Sequence, residues 1–328
     1  MKPAAPDFGV LLMTYGSPSS LDDVPRYVKA VRGGREPGPE VVAEFRRRYE
    51  VIGGSPLIRI TRAQAAALEE RLAGEAMVRA AMRFSAPSIG EALWEMADAG
   101  LRRAVGIIMS PQYSPLLMGG YARALDEAAA QLGERAPVVR LAGAWYRQPQ
   151  FVTALAGRIE QGLERFRAEE RDRVPVLLTA HSLPRRVAEQ EPDYLAQLEE
   201  TAASVARAAG LPHERWTFCW QSAGHEPGEW MKPDFADLMP ELAAAGHRSV
   251  LVAPVQFLAD HLEILYDVDV GAREQAEAAG LEFQRIESLN VDERFIGALA
   301  EVALETRRAK VSAAARDRAP VPPRLARP

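Results

Sequence analysis

Four short, almost wholly apolar runs constrain this chain more than any other feature: FGVLLM (8–13), AVGIIM (104–109), VPVLLT (174–179) and SVLVAPV (249–255). Each is rich in Val, Ile or Leu and shows little polar alternation. That pattern predicts strands covered on both faces, as in a parallel sheet between helix layers. VRAAMRF (78–84), VVRLAGAW (138–145) and RWTFCWQS (215–222) are weaker strand candidates. Helical patterns separate them at 62–74, 89–100, 150–166 and 194–210, several ending at a glycine. Strand–helix alternation of this kind predicts doubly wound α/β layers.

The two halves of the chain echo each other. LLMTYGSP (11–18) resembles LLTAHSLP (177–184), and GIIMSPQYSPL (106–116) resembles VLVAPVQFLAD (250–260). The fold class is therefore α/β, with two similar Rossmann-like halves, each a parallel sheet flanked by helices, and a cleft between them. At 328 residues, 48% of them hydrophobic, the chain can fill two packed cores or one large α/β domain. The first half is expected over 1–148, ending near WYRQPQ, and the second over 149–290. The Ala/Arg/Pro-rich stretch 309–328 lacks apolar periodicity and is expected to be a disordered tail.

A formal net charge of −5 argues against nucleic-acid binding through bulk charge. The single cysteine, Cys219, allows no internal disulfide, multi-cysteine metal site or iron–sulfur cluster, which fits a reducing compartment. The apolar run near the N-terminus is shorter than a secretory signal needs, and no stretch approaches the ~18–20 apolar residues of a membrane span. The expectation is a cytoplasmic protein without stable membrane insertion. No GxGxxG follows a strand, and there is no Walker A sequence, no GxSxG elbow and no HExxH.

In open α/β sheets ligands bind beyond the carboxyl ends of the strands. His181, in LLTAHSLPRRV (177–187), stands where an apolar run stops, so it falls in that zone. An imidazole there can ligate a metal or accept a proton, or simply hydrogen-bond a loop backbone. In FLADHLEILYD (257–267), a helix beginning near Asp260 would place Asp260, Glu263 and Asp267 on one face. They could pass on a divalent cation; alternatively Asp260 is an N-cap, Glu263 its capping-box partner and Asp267 a surface charge. In EFRRRYEVIGGSPL (44–57), Arg46, Arg47 and Arg48, with Arg32 and Arg35 upstream, could grip a polyanionic acid or form a solvated basic face. The loop CWQSAGHEPGEWMKPD (219–234) could line an apolar pocket or cap a core edge.

Taken in order, YGSP, RRRYEVIGGSPL, SPQYS, AHSLP, WQSAG and FLADHLEILYD resemble the ferrochelatase family from about residue 8 to 307. The resemblance implies a lyase of heme biosynthesis that inserts ferrous iron into a porphyrin lying in the cleft. It also implies a C-terminal helix, near 291–308, that returns to pack on the first half. By the same resemblance His181 matches the family's active-site histidine and Glu263 the glutamate facing it, both touching the metal. Tyr15 matches a tyrosine under the porphyrin metal in the coproporphyrin-using branch. Arg32, Arg48, Tyr49, Ser55 and Tyr121 match porphyrin contacts, and Asp267 a carboxylate of an acidic path. Phe84 stands where relatives often have His or Tyr, and Gly271 where some carry a further carboxylate, which weakens an outer metal site. The expectation is coproporphyrin III as substrate, Fe²⁺ as substrate metal, no required cofactor, and a monomer. A protoporphyrin IX ferrochelatase, a cobalt or nickel chelatase of the same fold, and a non-catalytic tetrapyrrole or metal carrier are the alternatives.

Overall fold

The computed structural model describes residues 6–224 and 228–309; the tail expected at 309–328 lies, beyond residue 309, outside the described residues. The first sheet holds β1 (Phe8–Thr14), β2 (Ala76–Met82), β3 (Arg103–Ile108) and β4 (Val138–Leu141). The second holds β5 (Val176–His181), β6 (Trp216–Gln221), β7 (Ser249–Pro254) and β8 (Glu282–Arg285). All pairings are parallel, and the spatial orders β2-β1-β3-β4 and β6-β5-β7-β8 are the same pattern used twice. The expected pair of Rossmann-like sheets is thus what forms. The four strong apolar runs are the two central strands of each sheet. Every residue of β1 and β7 is buried, which is why those strands lack alternation.

Helices cover the faces. The first sheet is accompanied by α1 (Val24–Val31), α2 (Pro39–Val51), α3 (Leu57–Arg71), α4 (Ile89–Asp98) and α5 (Pro115–Leu132). There follow α6 (Pro149–Leu163), α7 (Arg185–Ala188), α8 (Pro192–Ala208), α9 (Phe235–Ala244), a π-helix (Glu263–Ala272), α10 (Arg273–Ala278) and α11 (Glu293–Arg308). Among the described residues no helix is long and apolar enough to cross a membrane.

One continuous core joins the sheets. It runs from Leu12 and Val105 of the first sheet through Phe151 and Phe295 to Val176, Leu178 and Leu251 of the second. The C-terminal helix α11 carries much of this: it packs on α6 and reaches α3, β3 and β4. Phe295, fully buried, lies 6.4 Å from the Trp145 ring, and Trp145 in turn meets Phe151 edge-on at 5.3 Å. The Asp292 carboxylate accepts from the Arg294 and Phe295 backbone N–H groups and so starts α11.

The register repeats as well as the order. Met13 pairs with Ile108 and accepts from Met109 N at 2.9 Å; Thr179 pairs with Pro254 and accepts from Val255 N at 3.0 Å. Two residues beyond these anchors stand Tyr15 in the first half and His181 in the second.

Candidate active site

Both sheets change winding direction beside their central strands, β1/β3 and β5/β7, and residues just past the ends of those strands line a single cavity of about 570 Å³. That volume lies within the ~300–1,000 Å³ usual for small-molecule sites. Tyr15, Arg32, Tyr49, Ser55, Tyr121, His181 and Glu263 all line it. The structure therefore brings together seven of the nine residues singled out from sequence.

On the first-half wall, Tyr15 leaves β1 just before Gly16, whose φ of +84° and contact with Ser85, 2.7 Å from where a Cβ would lie, exclude larger residues. The Tyr27 hydroxyl fixes that turn by donating to the Gly16 carbonyl at 2.9 Å. The Tyr15 ring stacks on Tyr121 with centroids 6.0 Å apart and rests against Phe84 at 5.3 Å. The Tyr15 side chain is 46% exposed because the cavity opens onto it, yet the surrounding protein raises its phenol pKa against a smaller opposing pull from Arg83. Burial likewise raises the phenols of Tyr49 and Tyr121, so both are neutral hydroxyls. The side chain of Arg32, at the end of α1, has no hydrogen bond or ion pair with any described residue and presents an unpaired guanidinium at the cavity.

On the opposite wall, His181 is the last residue of β5. Its Nδ1 lies 2.5 Å from the Ser182 carbonyl oxygen. A carbonyl can only accept, so Nδ1 carries a proton. Nε2 lies 3.8 Å from Glu263 Oε2. One ring nitrogen thus hydrogen-bonds the loop backbone, and the other faces Glu263. The Gln256 amide oxygen accepts from the His181 backbone N–H at 2.8 Å, while its nitrogen donates to the Tyr194 hydroxyl at 2.5 Å, fixing the strand end.

Glu263 opens the π-helix, one residue after Leu262. Burial pushes its carboxyl pKa up, but the His181 and His261 imidazoles outweigh that and hold it down at about 2. His261 Nε2 also lies 3.8 Å from Glu263 Oε2. Among the described residues no group of three or more His, Cys, Asp or Glu side chains is arranged to hold a metal.

Two sequence-predicted residues stand outside the cavity wall. Arg48 donates to Glu44 at 2.7 Å and pairs with Asp267 at 3.4 Å, lying over the Tyr266 ring. Asp267 thus faces a guanidinium, and its carboxyl pKa is raised by burial despite Ser222 and Arg48. Arg46 and Arg47 are tied to Asp22 and Glu44, so this run is mostly a paired basic face. The helix expected to begin near Asp260 starts later and is π rather than α. Asp260 neither caps it nor shares a row with Glu263. It is held in the preceding loop by Ser288 at 2.7 Å, Asn290 at 2.9 Å and Arg285 at 3.5 Å, because three donors from the end of β8 and the loop to α11 outcompete a helix N-terminus. Trp220 is buried in the core against Phe218 and caps its edge, leaving the cavity to other rings.

Sequence reasoning missed His261, Gln256 and Tyr194. His261 carried a signal, standing two residues before Glu263 in a motif already marked. Gln256 and Tyr194 carried none, since a glutamine after a strand and a helical tyrosine are ordinary until their partners are seen.

A cavity at the ends of two like sheets, with an imidazole and an ionised carboxylate converging on one wall and stacked phenol rings on the other, belongs to a chelatase fold. SirB from Bacillus subtilis, solved with Fe³⁺ and also known as a sirohydrochlorin chelatase, superposes with a TM-score of 0.56 over 91% of this chain and 94% of that one; at 12% identity this is a likeness of fold alone. Sequence places the chain more finely. The ferrochelatase family profile matches residues 7–307. The ferrochelatase of Deinococcus radiodurans is 38% identical over 308 residues, covering 93% of this chain and 97% of that protein. The coproporphyrin III ferrochelatase of Geobacillus kaustophilus is 38% identical over 304 residues, covering 90% and 95%. The chain belongs to the ferrochelatase family.

Proposed function

We propose that this enzyme inserts Fe²⁺ into coproporphyrin III, with His181 and Glu263 acting on the reacting centre. The observation that carries the reading is the pairing of His181 Nε2 with the ionised Glu263 at 3.8 Å on one side of a cavity whose other side is the Tyr15–Tyr121 stack. Insertion exchanges two pyrrole N–H protons for one divalent ion, with no change in oxidation state, so it needs no resident cofactor or iron–sulfur cluster. Two protein donors suit an ion in transit: His181 Nε2 and the Glu263 carboxylate can hold Fe²⁺ briefly, and the four ring nitrogens then complete its coordination. The same two groups are the bases placed to receive protons from the ring. The flat macrocycle stacks against Tyr15 and Tyr121, which lie roughly parallel, 15° apart.

Coproporphyrin, with four propionates, fits better than protoporphyrin, with two. Arg32 is an unpaired cation at the cavity, and the Tyr49 and Ser55 hydroxyls beside it are further donors to a carboxylate. Arg48 already has its carboxylate partners and plays a smaller part. A monomer acting in the cytoplasm completes the reading. The test is an anaerobic multiple-turnover assay with Fe²⁺ against coproporphyrin III and protoporphyrin IX in parallel, repeated with Co²⁺. Preference for protoporphyrin overturns the substrate, faster cobalt insertion overturns the metal, and stoichiometric binding without turnover makes the chain a carrier.

A further inference from the structure

Asn290 belongs to none of the six motifs and does not line the cavity of the site, yet it uses each of its backbone and side-chain polar atoms on neighbours of the site. It lies in the loop between β8 and α11 with φ +45°, a conformation that asparagine tolerates better than other side chains. Its backbone N–H donates to the Leu258 carbonyl at 2.9 Å. Its backbone carbonyl accepts from the Gln64 amide at 2.7 Å. Its side-chain oxygen accepts from the Asp260 backbone N–H at 3.0 Å, and its side-chain nitrogen donates to Asp260 Oδ2 at 2.9 Å. The other Asp260 oxygen accepts from Ser288 at 2.7 Å.

The segment so strapped is Leu258–Asp260. It runs directly into His261 and Glu263, and Leu258, Ala259, His261 and Glu263 all face the cavity. At its other end the segment is fixed by Gln256 to His181 and Tyr194. Gln64, the partner of the Asn290 carbonyl, is a buried α3 residue in the cavity wall of the first half. Asn290 therefore ties the carboxylate-bearing segment of one half to the wall of the other.

We propose that Asn290 is a positioning residue for Glu263, setting where the π-helix begins and hence the distance from the carboxylate to His181 Nε2. This rests on the reading of Glu263 as a group acting at the reacting centre. A displacement of about 1 Å at such a centre costs on the order of a hundredfold in rate.

The experiment exchanges the two side chains that face each other. Asn290→Asp alone sets a second carboxylate against Asp260. In the double variant Asn290→Asp/Asp260→Asn the amide at 260 donates to the carboxylate at 290. Its oxygen still accepts from Ser288, and the backbone N–H of 260 keeps its acceptor. Asn290→Gly retains the positive φ and both backbone bonds and removes only the side-chain pair. Steady-state insertion of Fe²⁺ into coproporphyrin III, porphyrin fluorescence titration and thermal melting are measured on all three. Asn290→Asp and Asn290→Gly should lower kcat about ten- to a hundredfold, with KM for porphyrin and its Kd within about threefold. The double variant should regain kcat to within about threefold of wild type. A wild-type kcat in both single variants, a loss confined to KM or Kd, or a folded double variant that recovers nothing would each overturn the proposal. Absence of turnover in the wild-type enzyme, by contrast, would overturn the functional reading.

Discussion

Replacing His181 with Ala tests the centre of the functional reading, because the structure separates what the imidazole does for folding from what it does for chemistry. Its hydrogen bond, Nδ1 to the Ser182 carbonyl, is worth a net of about 1 kcal/mol, and its electrostatic contact with Glu263 is lost with it. Strand β5 keeps its pairings to β6 and β7, so the variant should fold. Porphyrin contacts come from the many other residues of the cavity wall, so affinity should stay within about tenfold, or ~1.4 kcal/mol. Insertion loses a base and a metal donor and should fall by roughly 10²- to 10⁴-fold. Glu263→Gln should also slow insertion. If the two losses were independent at about 10² each, the double variant would drop about 10⁴-fold, or ~5.4 kcal/mol. Groups 3.8 Å apart that serve one step should instead show a markedly smaller combined loss. The assays are fluorescence titration for binding and anaerobic single-turnover absorbance for insertion. Near-normal insertion by His181→Ala would refute the catalytic assignment and leave the imidazole as a loop anchor; full additivity would refute a shared step.

The same geometry yields three further expected outcomes. Arg32→Ala should raise KM for coproporphyrin III about tenfold (~1.4 kcal/mol) with kcat little changed, whereas Arg48→Ala, already paired with Glu44 and Asp267, should raise it by less; steady-state kinetics on both variants decides this. Phe295→Ala removes a fully buried ring joining α11 to Trp145 and should cost about 3–5 kcal/mol in denaturant unfolding. Because Glu263 is held down at about 2 in the fold against an ordinary 4.5, its ionised form stabilises the protein above pH 4.5, and that contribution is lost as pH falls toward 2; the melting temperature of wild type relative to Glu263→Gln should therefore decline over that interval, and a constant difference would contradict the carboxylate's stated environment.

Sequence made the central strands legible because each is buried on both faces, so burial and composition coincide. The edge strand β8 was not anticipated: of its four residues only Phe283 is fully buried, and its polar neighbours mask the pattern. His181 could be placed because an apolar run ends at it. Seven of nine site residues line one cavity from loops, helices and a strand end, yet periodicity alone would not have gathered them; the family resemblance did. What failed was reasoning that assumed ideal helix geometry. Asp260, Glu263 and Asp267 share a row only on an α-helix begun at Asp260, whereas the donors that hold Asp260 come from residues 285–290, remote in sequence. Arg48 lies off the cavity wall, and its pairing with Asp267, 219 residues away, is visible only in the fold.

The repeated register explains why two walls of one cavity carry opposite chemistry. Tyr15 and His181 occupy equivalent places, each two residues past a residue that accepts from the chain just beyond the neighbouring central strand. Equivalent placement gives both side chains the same access to the cavity. The surroundings then differentiate them. Tyr15 is stacked on Tyr121, with burial raising its phenol pKa, so it offers a neutral ring and hydroxyl. His181 is turned by the Ser182 carbonyl so that Nε2 faces an ionised carboxylate. A flat ring held between them would meet a platform on one face and a donor and proton acceptor on the other. Insertion needs that asymmetry, since protons must leave and the ion must arrive at a ring that is kept from sliding. A fold whose two halves are alike in backbone supplies it by changing only the residues at the exit of each central strand.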